Sequence, residues 1–444
     1  MTASERPPRE VPDARSVAAR VLERVERDGA YAAAALDTEI QKNPQLDVRD
    51  RGLATEIVYG VLRTRRALLS RLEARAPRGL PEDTRIRAHF LVAAYQILLL
   101  DRVPAHAAVD AAVNAIKALR GDKVAGFANA VLRKIATGPG LGREEAVLEN
   151  VPPWLLDELT HAVGKDGARA LLGAVDAGEL DVNVAIRLVG NKYESIDWLR
   201  NAEKGRSSPI ARLVPRGGSL AKREGYAEGA FVVQDEGAQL VALALGARPG
   251  ERVLDACAGR GQKTTLLREQ VGPTGDLWAA DLYAEKLTIQ GREMGRLGLV
   301  PARTAAVDLS IGTGELPGNF DRVLVDAPCT GTGTLRRRPE ILLRLGPDDP
   351  ARLAVLSEAI LRRAGSLARP GGRVVFAVCS VVRAECEAVV DRVSDLLEPA
   401  PFDAPALSTI MDSAGGGADA TELRLSPDRH ATDGFYVKSL IRRQ

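Results

Sequence analysis

Val253-Leu-Asp255-Ala-Cys257-Ala-Gly-Arg-Gly261-Gln-Lys263-Thr264 reads as a strand that breaks into a glycine-rich turn and then a helix. Gly259 and Gly261 let the backbone approach a ligand closely, and the start of the following helix offers free N–H groups. Alone, such a loop fits a dinucleotide, another nucleoside or a purely structural turn. From about residue 231 onward, strands and helices alternate, the mark of a parallel α/β sheet. The strands expected are Arg252–Ala256, Asp276–Ala280, Ala302–Val307, Asp321–Val325 and Arg373–Val378. Helices are expected near Gln262–Gln270, Ala284–Leu297, Pro350–Ala368 and Arg383–Leu397. Pro370-Gly371-Gly372 is expected to close the helix before the fifth strand, and Asp433 to Leu440 to add a last one.

Upstream the pattern changes. Val17, Val21, Leu22 and Val25 repeat at three-to-four spacing, as do Leu53, Ile57, Val61 and Leu62. Val109, Ala112, Val113 and Ile116 do the same, and so do Val124, Phe127, Val131, Leu132 and Ile135. Breaks at Asn43-Pro44, Ala76-Pro77-Arg78-Gly79, Val103-Pro104 and Arg120-Gly121-Asp122 make this a helical bundle. The fold class is therefore multidomain. An all-α bundle is expected over 1–145, a small α+β connector over 146–230, and a Rossmann-like α/β domain over 231–444. In the connector, Val151-Pro152-Pro153-Trp154 starts a helix, Val182–Val189 has strand alternation and Pro215–Gly218 is a turn. Ala414–Ala420 is expected to be a loop.

An acid ends each of the first four strands: Asp255, Asp281, Asp308 and Asp326. Asp281 lies 26 residues beyond Asp255, where a carboxylate can grip both hydroxyls of a ribose. Acids here would repel a pyrophosphate and tolerate a sulfonium. Two thiols follow strand ends, Cys329 in Asp326-Ala-Pro-Cys329-Thr-Gly-Thr-Gly333 and Cys379 in Val-Val-Phe-Ala-Val-Cys379-Ser380. If the fourth and fifth strands are neighbours, both sulfurs share one crevice with Asp326, because ligands bind beyond the carboxyl ends of such strands. A thiolate that adds to carbon-6 of cytosine makes carbon-5 an enamine-like nucleophile, able to attack a methyl sulfonium. The adduct must then lose its carbon-5 proton and expel sulfur, so a second group helps, and Asp326 can bond to N3. Pro328 fixes the backbone just before Cys329. Buried cysteine is most often a small hydrophobe, which suits Cys257 and Cys386.

The motifs resemble those of the RsmB/Fmu (NOL1/NOP2/Sun) RNA cytosine-5 methyltransferases from about Asp13 to the end. In the first part the matching stretches are Arg49–Arg63, Tyr95-Gln96, Val103–Val109 and Phe127–Arg133, where the bundle looks like a NusB-like RNA-binding domain. In the second they are Val233–Glu236, Asp255-Ala-Cys-Ala, Asp326–Gly333, Arg337-Arg-Pro-Glu340, Cys379-Ser380 and Asp433-Gly-Phe435. The resemblance implies Cys379 as nucleophile, forming a covalent bond to carbon-6, with Cys329 assisting release and Asp326 beside them. It implies an S-adenosyl-L-methionine site lined by Cys257, Ala258, Gly259, Arg260, Gly261, Gln262, Lys263, Asp281, Asp308 and Asp326. It implies a ribosomal RNA substrate, that of the small (16S) subunit. The chain departs from the family in three places. Gly259-Arg260-Gly261-Gln262-Lys263 stands for the usual Ala-Pro-Gly-Gly-Lys, Val378 for the threonine before the nucleophile, and Leu343-Arg344-Leu345 lacks the usual Lys-Trp.

The formal net charge is only +2, so bulk charge announces no nucleic acid, but its distribution is uneven. Eight arginines fall between Arg63 and Arg87, and Arg336-Arg337-Arg338 is a second basic run. Arg63, Arg65, Arg66, Arg336, Arg337 and Arg338 are candidate RNA phosphate contacts, against the plainer reading of a solvated helix face. Four cysteines without a Cys-x-x-Cys pair and four scattered histidines argue against a metal site. The first residues lack a signal-peptide core, and the apolar stretch Phe90–Leu100 is too short to span a bilayer. A soluble, cytoplasmic monomer with reduced thiols is expected. Two other classes compete. A catalytically silent RNA-binding assembly factor would bind no S-adenosylmethionine, and a DNA cytosine methyltransferase would need Cys329 as nucleophile and not Cys379.

Overall fold

The structure, a computed structural model, describes residues 13–177, 183–215, 219–408, 410–411, 417 and 419–444. The Pro215–Gly218 turn beyond Pro215, Val182 of the connector strand and most of the Ala414–Ala420 loop lie outside the described residues. The chain divides into two compact units. The first runs to Leu156 and includes Arg337–Arg344; the second holds Asp157–Arg336 and Leu345–Gln444.

The first unit is helical: α1 (Ala14–Asp28), α2 (Ala32–Lys42), α3 (Val48–Glu73), α4 (Thr84–Leu99), α5 (Ala105–Arg120), α6 (Asp122–Ala136) and α7 (Arg143–Asn150). Caps set the ends. The Asp13 side chain accepts the Ser16 N–H before α1, Asp47 accepts that of Asp50 before α3, and Gly29 closes α1 at φ +63°. Val17, Val21, Leu22 and Val25 are buried, as the spacing predicts, beside Ile57, Val61 and Leu62 of α3. Gly60 admits the ring of Tyr95, since a Cβ there would lie 1.9 Å from that ring; the Tyr95 hydroxyl donates to Glu56 at 2.6 Å. Asn150 ties α7 to α3, accepting the Arg66 N–H at 2.9 Å and donating to the Leu62 carbonyl at 3.0 Å. In Arg337–Arg344, the buried Glu340 carboxylate accepts the Ala32 N–H at 3.1 Å.

α8 (Pro153–Ala177) is two helices that meet at Gly164, whose φ of +77° breaks the ladder. In the second unit an antiparallel sheet has the order β2-β3-β1-β4, from β1 (Asn183–Leu188), β2 (Glu203–Lys204), β3 (Ala211–Pro215) and β4 (Phe231–Val233). A short helix, α9 (Asp197–Arg200), packs on it, and Phe231 meets Trp198 and Tyr226 edge-on at 5.3 and 5.6 Å.

After α10 (Glu236–Ala244) comes the α/β sheet: β5 (Arg252–Asp255), α11 (Gln262–Val271), β6 (Asp276–Asp281), α12 (Ala284–Leu297), β7 (Arg303–Ala306), β8 (Phe320–Asp326), α13 (Asp349–Ser366) and β9 (Ala368–Val378). A short α14 (Glu387–Asp391), then β10 (Leu397–Pro399), β11 (Glu422–Leu425) and β12 (Phe435–Arg442), complete it. The sheet order is β10-β12-β9-β8-β5-β6-β7, with β11 also on β12. β7, β6, β5, β8 and β9 are parallel, and β12 joins antiparallel to β9. Val374, Phe376 and Val378 belong to one apolar layer while Val375 and Ala377 belong to the other, so β9 is buried on both faces.

Two expectations fail. Pro370-Gly371-Gly372 does not close a helix. It lies inside β9 as a bulge between the pairs Phe320↔Ala368 and Arg322↔Arg373, with Gly371 at φ +71° turning the chain. Nor is 383–397 one helix. A single turn at Arg383–Glu385 is cut from α14 at Cys386, where φ and ψ are −103° and −106°. The break adjoins Glu385, whose carboxylate is held inward by Thr330 and Ser380.

His89, on α4, is largely buried, and burial pushes its imidazole down to about 4; Asp13 opposes the shift and Arg20 adds to it. The unfolded chain binds that proton near pH 6.5 and the folded chain only near 4, so stability falls as pH falls between them. His89→Gln removes this contribution. In urea titrations the variant is expected to lose less stability than the parent from pH 7 to pH 4.5, the gap being on the order of 2 kcal/mol. Equal losses would show that His89 carries its proton in the folded state.

Candidate active site

Pairing of β8 with β9 runs to Asp326↔Ala377, so the two chains leave the sheet side by side. Cys329 and Cys379 follow within three residues, and their Sγ atoms stand 3.5 Å apart. Both are partly exposed. The hydrogen bond with Cys379 and burial push the Cys329 thiol well above its ordinary range. Burial alone does most of this at Cys257 and Cys386.

The Cys329 loop is held from several sides. Ala327 N–H donates to Ala377 at 2.9 Å, Gly333 N–H to the Cys379 carbonyl at 3.0 Å, and the Ser357 hydroxyl to the Pro328 carbonyl at 2.7 Å. Gly434 N–H donates to the Gly333 carbonyl at 2.7 Å, and a Cβ on Gly333 would lie 2.1 Å from the Gly434 oxygen. Thr-Gly-Thr-Gly333 and Asp433-Gly434-Phe435 are thus two sides of one backbone contact.

On the neighbouring strand, Asp255 is buried and accepts the Thr264 hydroxyl at 2.7 Å; burial pushes its carboxyl up to about 6. It serves the loop from below and is not part of an exposed acidic ring. Lys263 donates to Asp326 at 2.5 Å. Burial pulls the Lys263 ammonium down, but the charge and hydrogen bond of Asp326 outweigh it and hold it above its usual value. Its Nζ also lies 5.7 Å from the centroid of the Phe435 ring.

The glycine-rich loop follows β5. Gly259 and Gly261 have φ of +56° and +87°. A Cβ on Gly261 would strike Gln290 at 2.3 Å, whereas Gly259 faces open space. Asp281 takes the Gly259 N–H at 2.9 Å on one oxygen and the Tyr283 N–H at 2.9 Å on the other, which ties the loop to the end of β6. Gln290 is buried and its amide has no hydrogen-bond partner among the described residues. An open glycine, a free helix start, a strand-end carboxylate and an orphaned amide fit a cationic nucleoside cofactor. Cys257 and Ala258 lie in the loop, while Arg260 and Gln262 are exposed. Asp308, just beyond the end of β7, accepts the Ser310 N–H at 2.8 Å and the Ser310 hydroxyl at 2.6 Å, both on one oxygen.

The arginine runs are largely paired. Arg65 and Arg87 meet Glu26 at 2.9 and 3.0 Å, Arg71 meets Glu149 at 2.8 Å, and Arg85 meets Asp83 at 3.0 Å. Arg63 is a correction. It is 4% exposed, with its guanidinium 5.6 Å from the Tyr59 ring, so it belongs to the interior of the bundle. Arg66 is exposed. Arg336 pairs with Asp235 at 3.5 Å, Arg337 is exposed, and Arg338 lies 5.6 Å from the Tyr31 ring.

Sequence reading missed three positioning charges. Buried Arg187 on β1 donates to Gln234 at 3.2 Å and Thr265 at 3.0 Å and pairs with Glu269, which fixes α11 behind the loop. Buried Glu236 accepts the N–H groups of Ser207 and Ser208, each at 2.7 Å. Glu385 binds beneath the thiols. Only Glu236 carried a signal, as part of Val233–Glu236. Among the described residues no helix is long and apolar enough to cross a membrane, and no group of three His, Cys, Asp or Glu side chains is placed to hold a metal.

Comparison with known proteins identifies the family. Residues 242–441 match the family model for the 16S rRNA methyltransferase RsmB/F, and residues 12–137 match that of the NusB family. The ribosomal RNA small subunit methyltransferase B of Klebsiella pneumoniae (strain 342) is 31% identical over 97% of this chain and 98% of its own length. A Synechocystis protein described as a probable ribosomal RNA small subunit methyltransferase B is 30% identical over 96% of this chain and 99% of its own. The crystal structure of PH0851 superposes with a TM-score of 0.82 at 22% identity, over 97% of this chain and 99% of that one, which speaks for the fold.

Proposed function

Because this chain belongs to the RsmB/F family of S-adenosylmethionine-dependent methyltransferases, we propose that it methylates carbon-5 of a cytosine in small-subunit ribosomal RNA through a covalent Cys379 adduct. The observation that carries this reading is the pair of sulfurs 3.5 Å apart at the ends of adjacent parallel strands. An enzyme that methylates an exocyclic amine needs no thiol; two thiols suit a reaction in which a carbon–sulfur bond forms and is then broken.

The Cys379 thiolate adds to carbon-6 of an extruded cytosine, and the electron pair of the 5,6 double bond moves to carbon-5. The Gly259–Lys263 loop, Asp281 and Asp308 would hold S-adenosylmethionine, which when bound would supply the methyl group as an electrophile. Asp326 accepts from the N3–H of the adduct once that ring nitrogen is protonated, which stabilises the adduct, and its own position is set by charged Lys263 at 2.5 Å. A base, Cys329 or a water, takes the carbon-5 proton; the electron pair left behind restores the 5,6 double bond, and the Cys379 sulfur departs as a thiolate. Cys329, 3.5 Å from Cys379, assists that release.

Cys379→Ala is expected to abolish transfer of labelled methyl to ribosomal RNA, a fall of at least about 1,000-fold for loss of a nucleophile. Cys329→Ala is expected to accumulate a protein–RNA species that survives denaturing electrophoresis. An active Cys379→Ala enzyme, or no trapped species with Cys329→Ala, contradicts the mechanism. The RNA contacts proposed are Arg65, Arg66, Arg336, Arg337 and Arg338. Replacing exposed Arg66 and Arg337 by Gln should lessen the slope of log affinity against log salt by roughly 1 per lost phosphate contact. Arg63→Gln should leave the slope unchanged and lower stability instead. An unaltered slope in the double variant would identify a merely solvated face.

A further inference from the structure

Strand pairing cannot by itself set the distance between the thiols. The β8–β9 ladder stops at Asp326↔Ala377, and Cys329 and Cys379 both lie beyond it. The Glu385 side chain hydrogen-bonds both loops. Glu385 is fully buried, at 0% exposure. Its Oε1 accepts the Thr330 N–H at 2.7 Å; its Oε2 accepts the Thr330 hydroxyl at 2.5 Å and the Ser380 hydroxyl at 2.6 Å. Thr330 directly follows Cys329 and Ser380 directly follows Cys379.

The surroundings extend the same clamp. The Ser380 oxygen accepts the Val382 N–H at 3.1 Å, and the Thr332 oxygen accepts the Val381 N–H at 3.2 Å. The Thr332 and Ser380 hydroxyls are 3.1 Å apart. Glu385 has three donors and, among the described residues, no ion pair with Lys or Arg. Burying a carboxylate without a counter-charge is expensive, and an apolar side chain would fill this space with less penalty. A carboxylate is needed only if something must accept hydrogen bonds from two separate loops at once.

We propose that Glu385 is the positioning residue that sets the Cys329–Cys379 spacing, by gripping the residue that follows each sulfur. The inference rests on the proposed thiol mechanism but concerns geometry that can be read without it. The hydrogen bonds of Glu385 go to Thr330 and Ser380 and not to either sulfur, and it lies outside the loop of Gly259–Lys263, so its loss should alter turnover and not cofactor binding. A misplacement of about 1 Å can cost on the order of 100-fold in rate.

The test uses the full-length protein with Glu385→Gln, Glu385→Ala and Ser380→Ala. Glu385→Gln keeps the shape while one accepting oxygen becomes an amide nitrogen. Its kcat for methyl transfer to small-subunit ribosomal RNA should fall roughly 100-fold, with KM for S-adenosylmethionine and RNA within about 3-fold and an unchanged unfolding temperature. Ser380→Ala removes one bond and should fall less, by about 10-fold. Phenylarsine oxide, which bridges two thiols only when they are close, provides a readout independent of the reaction. Its affinity for the thiol pair should drop about 10-fold or more in Glu385→Gln. Parental kcat and arsenical affinity in Glu385→Gln would overturn the assignment. So would loss of folding in both Glu385 variants, which would make the residue a structural one. A parent protein that binds the arsenical tightly but makes no 5-methylcytosine would instead sink the proposed reaction and leave the clamp to be judged by the arsenical alone.

Discussion

Parallel pairing of β8 with β9 is the constraint on which the site depends. Because the ladder holds its register to Asp326↔Ala377, the chains emerge beside one another, and the loops that continue from them carry two cysteines, 50 residues apart in sequence, to within 3.5 Å. A slip of one residue would turn Cys379 to the opposite face of the sheet, away from Cys329. The same register places Asp326 where Lys263, from the first turn of α11, can reach it. The sheet therefore delivers the thiols, the acid and the cofactor loop to one edge, at the point where β5 sits between β8 and β6 and the strand order reverses.

Beyond the ends of the strands, hydrogen bonds from buried ions replace the ladder. Glu385 holds the two thiol loops, Glu236 gathers the N–H groups of Arg206, Ser207 and Ser208, and Arg187 fastens β1 to α11. Each is costly to bury; the two carboxylates are satisfied by backbone N–H groups and hydroxyls of loops that sheet pairing leaves loose, and Arg187 by Gln234 and by Thr265 and Glu269 of α11. Close backbone contacts do the rest. Gly333 against Gly434 leaves no room for a side chain on Gly333, so that contact fixes loop spacing by exclusion.

Local patterns in the sequence carried most of the architecture. The helical bundle followed from three-to-four spacing, and α12 was legible to the residue because its apolar positions are bounded by Tyr283 and Gly298. Strands β5 to β9 were visible through their apolar runs, and Cys329 and Cys379 through their place at strand ends. What escaped depends on distant partners. The helix expected over 383–397 breaks because Glu385 bonds to Thr330, 55 residues earlier. Pro370-Gly-Gly looks like a terminator, yet pairing with β8 absorbs it as a bulge. Arg63 looks like a surface charge, but its guanidinium lies over Tyr59 inside the bundle. Arg187 stands in an ordinary alternating strand, and only Thr265, 78 residues on, discloses its task.

The most direct test of the central claim uses RNA carrying 5-fluorocytosine in place of cytosine, whose carbon-5 has no proton to lose after methyl transfer, so the adduct cannot collapse. The protein, S-adenosylmethionine and this RNA are incubated, digested and mapped by mass spectrometry. The account predicts one nucleotide joined to the peptide that contains Cys379, with Cys329 unmodified. A nucleotide joined to Cys329, or no cross-linked peptide while methyl transfer to ordinary RNA proceeds, would contradict it.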